Sequence, residues 1–164
     1  MDASKRMYDI HCHIFQYLEF EDLIKVQQVC KMWKVFSDNS SLWQTIRLKK
    51  NVKNWDSFVD FMCKHKTRHL DLKNLVLSIE TWKKFLENIP RAASLVELHL
   101  CKCPVFVIDD VIGKCPNLQF FKLSQCDLSI FKGASNIYPN TLNSEVTINL
   151  KLNTIQITEY SSQN

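Results

Sequence analysis

The chain has 164 residues, of which 46% are hydrophobic and 23% are charged, with only two glycines and four prolines. This composition argues against a disordered chain and is ordinary for a globular protein with a substantial buried core. Basic residues exceed acidic residues by 21 to 17, and the excess lies between Lys49 and His69. Any long-range attraction of acidic partners would act through that stretch.

The sequence also bears on compartment. No apolar run reaches the length that crosses a bilayer, and the N-terminus has no apolar secretory segment. Seven cysteines, an odd number, favour free thiols in a reducing compartment. We therefore expect a cytoplasmic or nuclear protein with no disulfides and no membrane contact. Nucleic acid is not expected as a partner, because neither aromatic stacking platforms nor a recognition helix is evident.

Residues 7–48 carry helical patterns. Ile10, Ile14 and Leu18 lie one turn apart, and Leu23, Val26 and Cys30 repeat the three-or-four spacing of an amphipathic helix. The segment 38–41 is rich in residues that bond to their own backbone and separates the last helix from Leu42-Trp43. The pattern predicts three short amphipathic helices.

The order of the apolar anchors in this segment is specific. It contains Ile14-Phe15-x-x-Leu18, Asp22-Leu23, Val29-Cys30-x-x-Trp33 and Leu42-Trp43. This arrangement resembles the F-box, and the resemblance implies docking of a substrate receptor onto the Skp adaptor of a cullin-RING ubiquitin ligase. The Leu-Pro that usually opens the motif aligns here with Arg6-Met7, and a customary Leu aligns with His11. These departures would weaken one edge of the adaptor contact.

The apolar side chains of this module are expected to divide between its core and the adaptor contact. The resemblance also implies that Cys30 and Trp33 pack between the helices, while Trp43 is expected at the junction with the first strand. The residues predicted to bind the adaptor are Ile10, Ile14, Phe15, Leu18, Leu23 and Val26.

The rest of the chain repeats one template. Ile46-x-Leu48, Leu70-x-Leu72, Leu98-x-Leu100 and Phe121-x-Leu123 recur at 23 to 28 residues, near the leucine-rich-repeat period. Each pair places two apolar side chains on one strand face, which stacking in parallel would bury. Residues 49–153 are therefore predicted to form an α/β solenoid of four to five strand–helix units, with a parallel sheet on its concave face.

Three helical stripes lie between the predicted strands. They are Trp55, Phe58, Val59, Met62 and Cys63; Trp82, Phe85, Leu86 and Ile89, with Ser78 as a cap; and Ile108, Val111, Ile112 and Cys115. The run from Lys114 to Cys126 is similar to the cysteine-containing leucine-rich repeat that commonly follows an F-box. This resemblance implies a receptor whose repeats hold the target protein.

The template weakens after Cys126. The composition of residues 127–145 predicts a loop, and the alternation of residues 146–152 predicts a strand that would form a fifth, degenerate repeat. Residues 154–164 are expected to be a frayed tail.

Strand alternation also predicts a substrate surface. One outward row contains Thr45, His69, Glu97 and Phe120, and the next contains Arg47, Asp71, His99 and Lys122. Phe120 is the aromatic anchor candidate. The residues predicted to bind substrate are Arg47, His69, Asp71, His99, Phe120 and Lys122.

Several clusters could be mistaken for reactive sites. Zinc requires four ligands, and the short runs of Cys and His are better explained by repeat packing. Residues 11–13 set a thiol between two imidazoles, but neighbours on a helix point in different directions, so we expect exposed helix residues. No phosphate loop or hydrolase motif is present. We therefore expect neither enzymatic activity nor a cofactor or metal.

Two functions remain open from the sequence. The first is a substrate-recognition adaptor of a Skp-cullin-F-box ligase. The second is an interaction or assembly protein that acts through its repeats, with the helices serving only as a cap of the solenoid.

Overall fold

The computed structural model describes residues 3–126, 144–152 and 154–159. Three helices come first, as the spacing predicts: α1 (Ala3–Phe15), α2 (Phe20–Val26) and α3 (Lys31–Ser37). A 3₁₀ turn, Ser40–Trp43, leads from them into the first strand. No helix in these ranges is both long and apolar enough to cross a membrane.

The remainder is built on one sheet, whose strands lie side by side in chain order. The strands are β1 (Thr45–Arg47), β2 (His69–Asp71), β3 (Glu97–Cys101), β4 (Phe120–Ser124), β5 (Ser144–Asn149) and β6 (Thr154–Glu159). The first four are parallel. The helices that connect them are α4 (Trp55–His65), α5 (Ile79–Asn88), which runs into a 3₁₀ turn at Ile89–Arg91, and α6 (Val105–Lys114).

The register of the parallel strands is the one that the repeat predicts. Ile46, Leu70, Leu98 and Phe121 stand in one row and are almost fully buried. They share one core with most of the predicted apolar stripes of α4, α5 and α6. Cys63 and Ile112, which the sequence predicts in those stripes, are exposed. The helices therefore cover one face of the sheet, and the alternate side chains of β1–β4 lie on the other face, which we call the open face.

Local sequence signals explain where the helices begin. The Asn54 side chain accepts a hydrogen bond from the backbone N–H of Ser57 at the start of α4, and Ser78 accepts one from Thr81 at the start of α5. Each bond satisfies an N–H that a helix end leaves unpaired. The Ser78 cap was predicted from the sequence and is confirmed.

The end of the sheet differs from the prediction of a uniformly parallel sheet. β5 pairs with β4 in the antiparallel direction, with Ile148 opposite Phe121 and Val146 opposite Leu123. The predicted burial of Val146 and Ile148 is confirmed, but β5 ends at Asn149, and Leu152, the last residue of the predicted strand, is exposed. Alternation fixes only which face is buried and is the same for either strand direction. The sheet is therefore mixed, and the predicted fifth parallel unit is wrong.

The last strand also differs from the prediction. The sequence predicts a frayed tail from Thr154, whereas residues 154–159 form β6, paired along β5. Asn149 helps the chain to reverse between the two strands, because its side-chain oxygen accepts from the backbone N–H groups of Lys151 and Leu152. Most of the predicted loop, residues 127–143, lies outside the described residues.

Candidate functional site

Helix α1 packs on α3 through aromatic side chains. The rings of Tyr8 and His11 each lie 5.2 Å from the ring of Phe36, and Phe15 lies 5.5 Å from Trp33. The Tyr8–Phe36 and Phe15–Trp33 pairs have favourable edge-on geometry, whereas the His11 ring is tilted against Phe36. One face of α1 therefore lies inside the helical module, the name that we give to α1–α3 with the 3₁₀ turn at Ser40–Trp43.

A second apolar face of α1 points to solvent. Met7, Ile10 and Ile14 follow a three-four spacing, which aligns them along one side of the helix, and Tyr17 continues this stripe in the turn after α1. All four are exposed, with 52% of both Ile10 and Ile14 accessible. We call these four residues the α1 outer face. Three further apolar side chains, Val29, Met32 and Val35, are exposed in or just before α3.

An exposed apolar face of this kind marks an interaction site. Isolated surface apolar residues are normal, but a continuous stripe on a helix costs solvation free energy unless a partner covers it. Each fully covered isoleucine contributes roughly 1.5–3 kcal/mol. The α1 outer face is therefore the best candidate docking surface of the helical module.

The structure separates the predicted adaptor-binding residues into two groups. Ile10 and Ile14 lie on the α1 outer face, and Leu18 is half-buried at the turn after α1. Phe15, Leu23 and Val26 are at most 7% exposed and form the core of the module with Trp43. Their assignment as contact residues is corrected: they shape the module from within, because their side chains are already covered by its own helices.

Sequence reasoning missed part of the exposed set. Met7 and Tyr17 extend the Ile10–Ile14 stripe by one step at each end, so the spacing itself was a usable signal. Val29, Met32 and Val35 follow a three-residue step that carries the same signal. Their exposure depends on which face of α3 packs against α1, which periodicity alone does not reveal.

Two cysteine predictions in the module need correction. Cys30 is exposed and sits at the start of α3, where its sulfur accepts a hydrogen bond from the backbone N–H of Trp33. It caps the helix and does not fill a core position. The sequence predicts that His11 and Cys12 are exposed, whereas the structure half-buries them against α3. They are covered because they share the inward face of α1 with Phe15.

Trp43 joins the helical module to the sheet. It is 1% exposed, its indole N–H donates to the backbone oxygen of Ser37 at 2.7 Å, and its ring lies 4.8 Å from that of Phe61 on α4. The Thr67 hydroxyl donates to the Trp43 backbone oxygen at 2.9 Å. The predicted place of Trp43 at the junction is confirmed.

Part of the basic stretch is also used at this junction. Lys49 pairs with Glu19, and Lys64 pairs with Asp38 at 2.7 Å. Both pairs are solvent-exposed and contribute little free energy each. These pairs neutralise Lys49 and Lys64, two of the cations of the basic stretch that would otherwise attract acidic partners.

The predicted outward rows exist on the open face. In the first row, His69 lies between Thr45 and Glu97, and Glu97 is paired with Phe120. In the second row, His99 lies between Asp71 and Lys122, and Asp71 is paired with Arg47. Arg47 is the most exposed of the predicted substrate residues, whereas His69, Asp71, Phe120 and Lys122 are half-buried. His99 is buried, so its assignment as a direct substrate contact is corrected.

His99 is enclosed by polar groups from three strands. Its Nε2 atom is 2.7 Å from the Ser124 hydroxyl, and its ring nitrogens lie 3.7 Å from Asp71 and 3.8 Å from Glu145. The last two distances exceed a normal hydrogen bond, and Ser124 is itself buried. We interpret this serine–histidine–aspartate grouping as a contact that holds β2, β3, β4 and β5 together.

The pKa of His99 is lowered chiefly by burial, with Lys73 and Lys122 adding to the effect and Asp71 and Glu145 opposing it. The unfolded chain therefore takes up a proton first as pH falls below about 6.5, the ordinary value for histidine. We expect the melting temperature to fall between pH 7.5 and pH 5.5, and the H99Q variant to show a smaller fall. Circular dichroism at both pH values measures this, and an unchanged pH dependence in H99Q would refute it.

Ion pairs cover much of the remaining open face. Lys122 pairs with Glu97 at 2.7 Å and Lys73 pairs with Glu145 at 3.1 Å. A groove of about 460 Å³ lies beside this face, between the turn after α1 and β1, and Tyr17, Leu18 and Arg47 are among its lining residues. The groove places the two candidate surfaces next to each other.

Comparison with known families agrees with the geometry of the helical module. The model of the F-box-like family matches residues 8–49, from α1 to just past β1. F-box domains generally bind the Skp adaptor and through it cullin ligases. The chain therefore contains an F-box-like domain at its helical end, followed by a mixed six-stranded sheet with helices on one face.

Proposed function

We propose that this chain is a non-enzymatic substrate receptor of a Skp-cullin-F-box ubiquitin ligase, acting in the cytoplasm or nucleus. The observation that carries the proposal is the exposed α1 outer face within the F-box-like domain. Because an isolated chain leaves this stripe in water, a partner that covers it gains apolar burial free energy. The Skp adaptor is the partner that this domain class implies.

The burial pattern refines how the adaptor would be held. Ile10 and Ile14 supply the centre of the contact, and Met7 and Tyr17 extend it in both directions. Met7 stands where the family motif has proline, so this edge keeps an apolar side chain while losing the rigid proline ring. The buried Phe15 and Leu23 support the contact by fixing the angle between α1 and α2.

The second part of the proposal concerns the sheet. We interpret β1–β4 with α4–α6 as leucine-rich repeats whose open face holds a target protein. The rows of alternate side chains and the groove beside β1 support this reading. Since Lys122, Lys73 and Arg47 all face acidic neighbours, the face offers little net charge. A target would be recognised through shape, Phe120 and the exposed guanidinium of Arg47.

The chemical role is one of placement. Binding a target on the open face and an adaptor on the α1 outer face raises the effective concentration of the target's lysines near the ubiquitin-loaded enzyme of the ligase. No bond is made or broken by this chain in the proposed scheme.

A second candidate is an interaction or assembly protein that uses only the sheet. The packing of Trp43 and Phe20 against Phe61 and Phe58 of α4 favours it, since the helical module does cover the end of the repeat core. In that case the α1 outer face would have no Skp adaptor to bind.

The two candidates are separated by co-expressing the full chain with the Skp adaptor and analysing the mixture by gel filtration. The receptor proposal expects a one-to-one complex, and V76D, which changes an exposed apolar residue outside the module, serves as a control that keeps it. Separate elution of the two folded proteins would overturn the receptor proposal and favour the assembly protein.

A further inference from the structure

The last two parallel strands end in the same unusual way. One residue after β3, Lys102 has a φ of 49°, and one residue after β4, Gln125 has a φ of 54°. Non-glycine residues rarely adopt this left-handed conformation. Lys102 and Gln125 occupy matching positions, since the residues just before them, Cys101 and Ser124, are in register. The repeated turn directs the next residue of each strand, Cys103 and Cys126, back into the protein.

As a result the two thiols meet. The sulfur atoms of Cys103 and Cys126 lie 3.1 Å apart, and the two residues are only 4% and 3% exposed. The Cys103 backbone N–H also donates to the Cys126 sulfur at 3.4 Å. A disulfide has a sulfur–sulfur distance of about 2.04 Å, so closing the bond requires the two atoms to approach by roughly 1 Å.

We propose that Cys103 and Cys126 form a reversible disulfide, made by a hydroperoxide and broken by a dithiol reductant. The proposal is independent of the ligase role, since neither residue belongs to the helical module or to the outward rows of the open face.

The chemistry assigns different roles to the two sulfurs. Hydrogen bonding from Cys103, through its thiol and its backbone N–H, lowers the pKa of Cys126, although burial opposes the effect. Hydrogen bonding to Cys126, followed by burial, raises the pKa of Cys103. Because the thiolate is the nucleophile, the backbone N–H that points at the Cys126 sulfur favours Cys126 as the atom that attacks the oxidant and Cys103 as the atom that resolves the product.

The step balances with hydrogen peroxide as the oxidant. The Cys126 sulfur attacks one peroxide oxygen, the O–O bond breaks, and the departing hydroxide leaves as water with the Cys126 proton. The resulting sulfenic acid is attacked by the Cys103 sulfur; the S–O bond breaks, and a second water leaves with the Cys103 proton. Two thiols are oxidised and one peroxide is reduced to two waters.

A metal site is the competing explanation for clustered cysteines. Within the part of the chain that the structure describes, no three His, Cys, Asp or Glu residues are grouped closely enough to hold a metal ion. Cys101, the other buried thiol of this region, points its sulfur to the Gln125 side chain at 3.9 Å. Among the described residues, the thiol pair therefore lacks the further ligands that a metal site requires.

The bond would fasten the end of β3 to the end of β4. In the unfolded chain it would close the loop from Cys103 to Cys126, which restricts the unfolded ensemble and raises stability. We expect the oxidised protein to melt about 5 °C or more above the reduced protein.

The test uses the full chain with Cys12, Cys30 and Cys63 changed to Ser, so that the more accessible thiols cannot react. The folded protein is treated with hydrogen peroxide, alkylated after denaturation, and analysed by non-reducing peptide mass spectrometry. We expect a Cys103–Cys126 cross-linked peptide that disappears with a dithiol reductant. The added C115S change, at another buried thiol, should leave the cross-link intact.

The added C103S change should abolish the cross-link and leave a sulfenic acid at Cys126 that dimedone traps. Three results would overturn the proposal. In the first, Cys103 and Cys126 are both found alkylated, so peroxide has not joined them. In the second, the cross-link involves Cys101 or Cys115. In the third, the cross-link forms only when peroxide is added to the denatured chain. All three are read in a protein that retains both proposed cysteines, so they do not depend on the folding of C103S.

Discussion

Replacing Trp43 by alanine is expected to lower the free energy of unfolding by about 3–5 kcal/mol, the range for removing a large buried aromatic side chain. The physical reason is that Trp43 is 1% exposed and belongs to the helical core while packing against Phe61 of α4. The change also leaves the Ser37 carbonyl without its indole donor. Urea unfolding followed by circular dichroism measures the loss.

Two further variants separate the contributions to this loss. W43F keeps an aromatic ring but removes the indole N–H, and we expect it to cost about 1–2 kcal/mol. W33A removes a half-buried tryptophan from the module, and it should cost less than W43A. The account of the junction would be contradicted if W43A cost less than 1 kcal/mol or no more than W33A.

Changing both Ile10 and Ile14 to aspartate is expected to weaken binding of the Skp adaptor by about 100-fold or more. Because both isoleucines are already about half covered in the free chain, covering the rest contributes roughly 1.5–3 kcal/mol together, and burying two carboxylates adds a desolvation cost. Each factor of ten in affinity corresponds to about 1.4 kcal/mol. Both side chains are half exposed in the free chain, so the substitutions should leave the fold intact. Isothermal titration with the purified adaptor gives the affinity.

This choice of residues follows from the burial pattern. A change at Leu23, which the sequence alone also offered as a contact, would unfold the module, because that side chain is 3% exposed. The control is V76D, at an apolar position that is 70% exposed and lies outside the helices. If I10D/I14D binds as tightly as V76D while its circular dichroism is unchanged, α1 does not carry the contact.

Much of the fold follows from periodicity. The recurrence of Ile46, Leu70, Leu98 and Phe121 predicted both the parallel strands and their register, because a buried row leaves only one pairing that keeps all four residues inside. The three helices at the N-terminus followed for the same reason. Each apolar side chain there repeats at a spacing that only a helix brings onto one face.

The faces of α1 could not be assigned in this way. This helix has apolar residues on two sides, with Phe15 on one and Ile14 on the other, and periodicity does not reveal which side packs against α3. The answer depends on the aromatic rings of Trp33 and Phe36, which are distant in sequence. The adaptor-binding prediction therefore mixed core residues with surface residues.

The end of the sheet shows a similar limit. Alternation correctly predicted that Val146 and Ile148 are buried, but it contains no information about strand direction. The polar network around His99 was also outside the reach of the sequence, since it depends on Glu145 arriving from the antiparallel strand β5. His99, which the sequence predicts as a substrate contact, is therefore a buried link between strands.

The central claim is that the α1 outer face docks the Skp adaptor, and amide hydrogen exchange of the full chain with and without the adaptor tests it most directly. The account predicts slower exchange in the complex over α1 and α3, with little change in β2, β3 and β4. Protection confined to those strands, or no protection anywhere in a mixture at saturating adaptor, would contradict it.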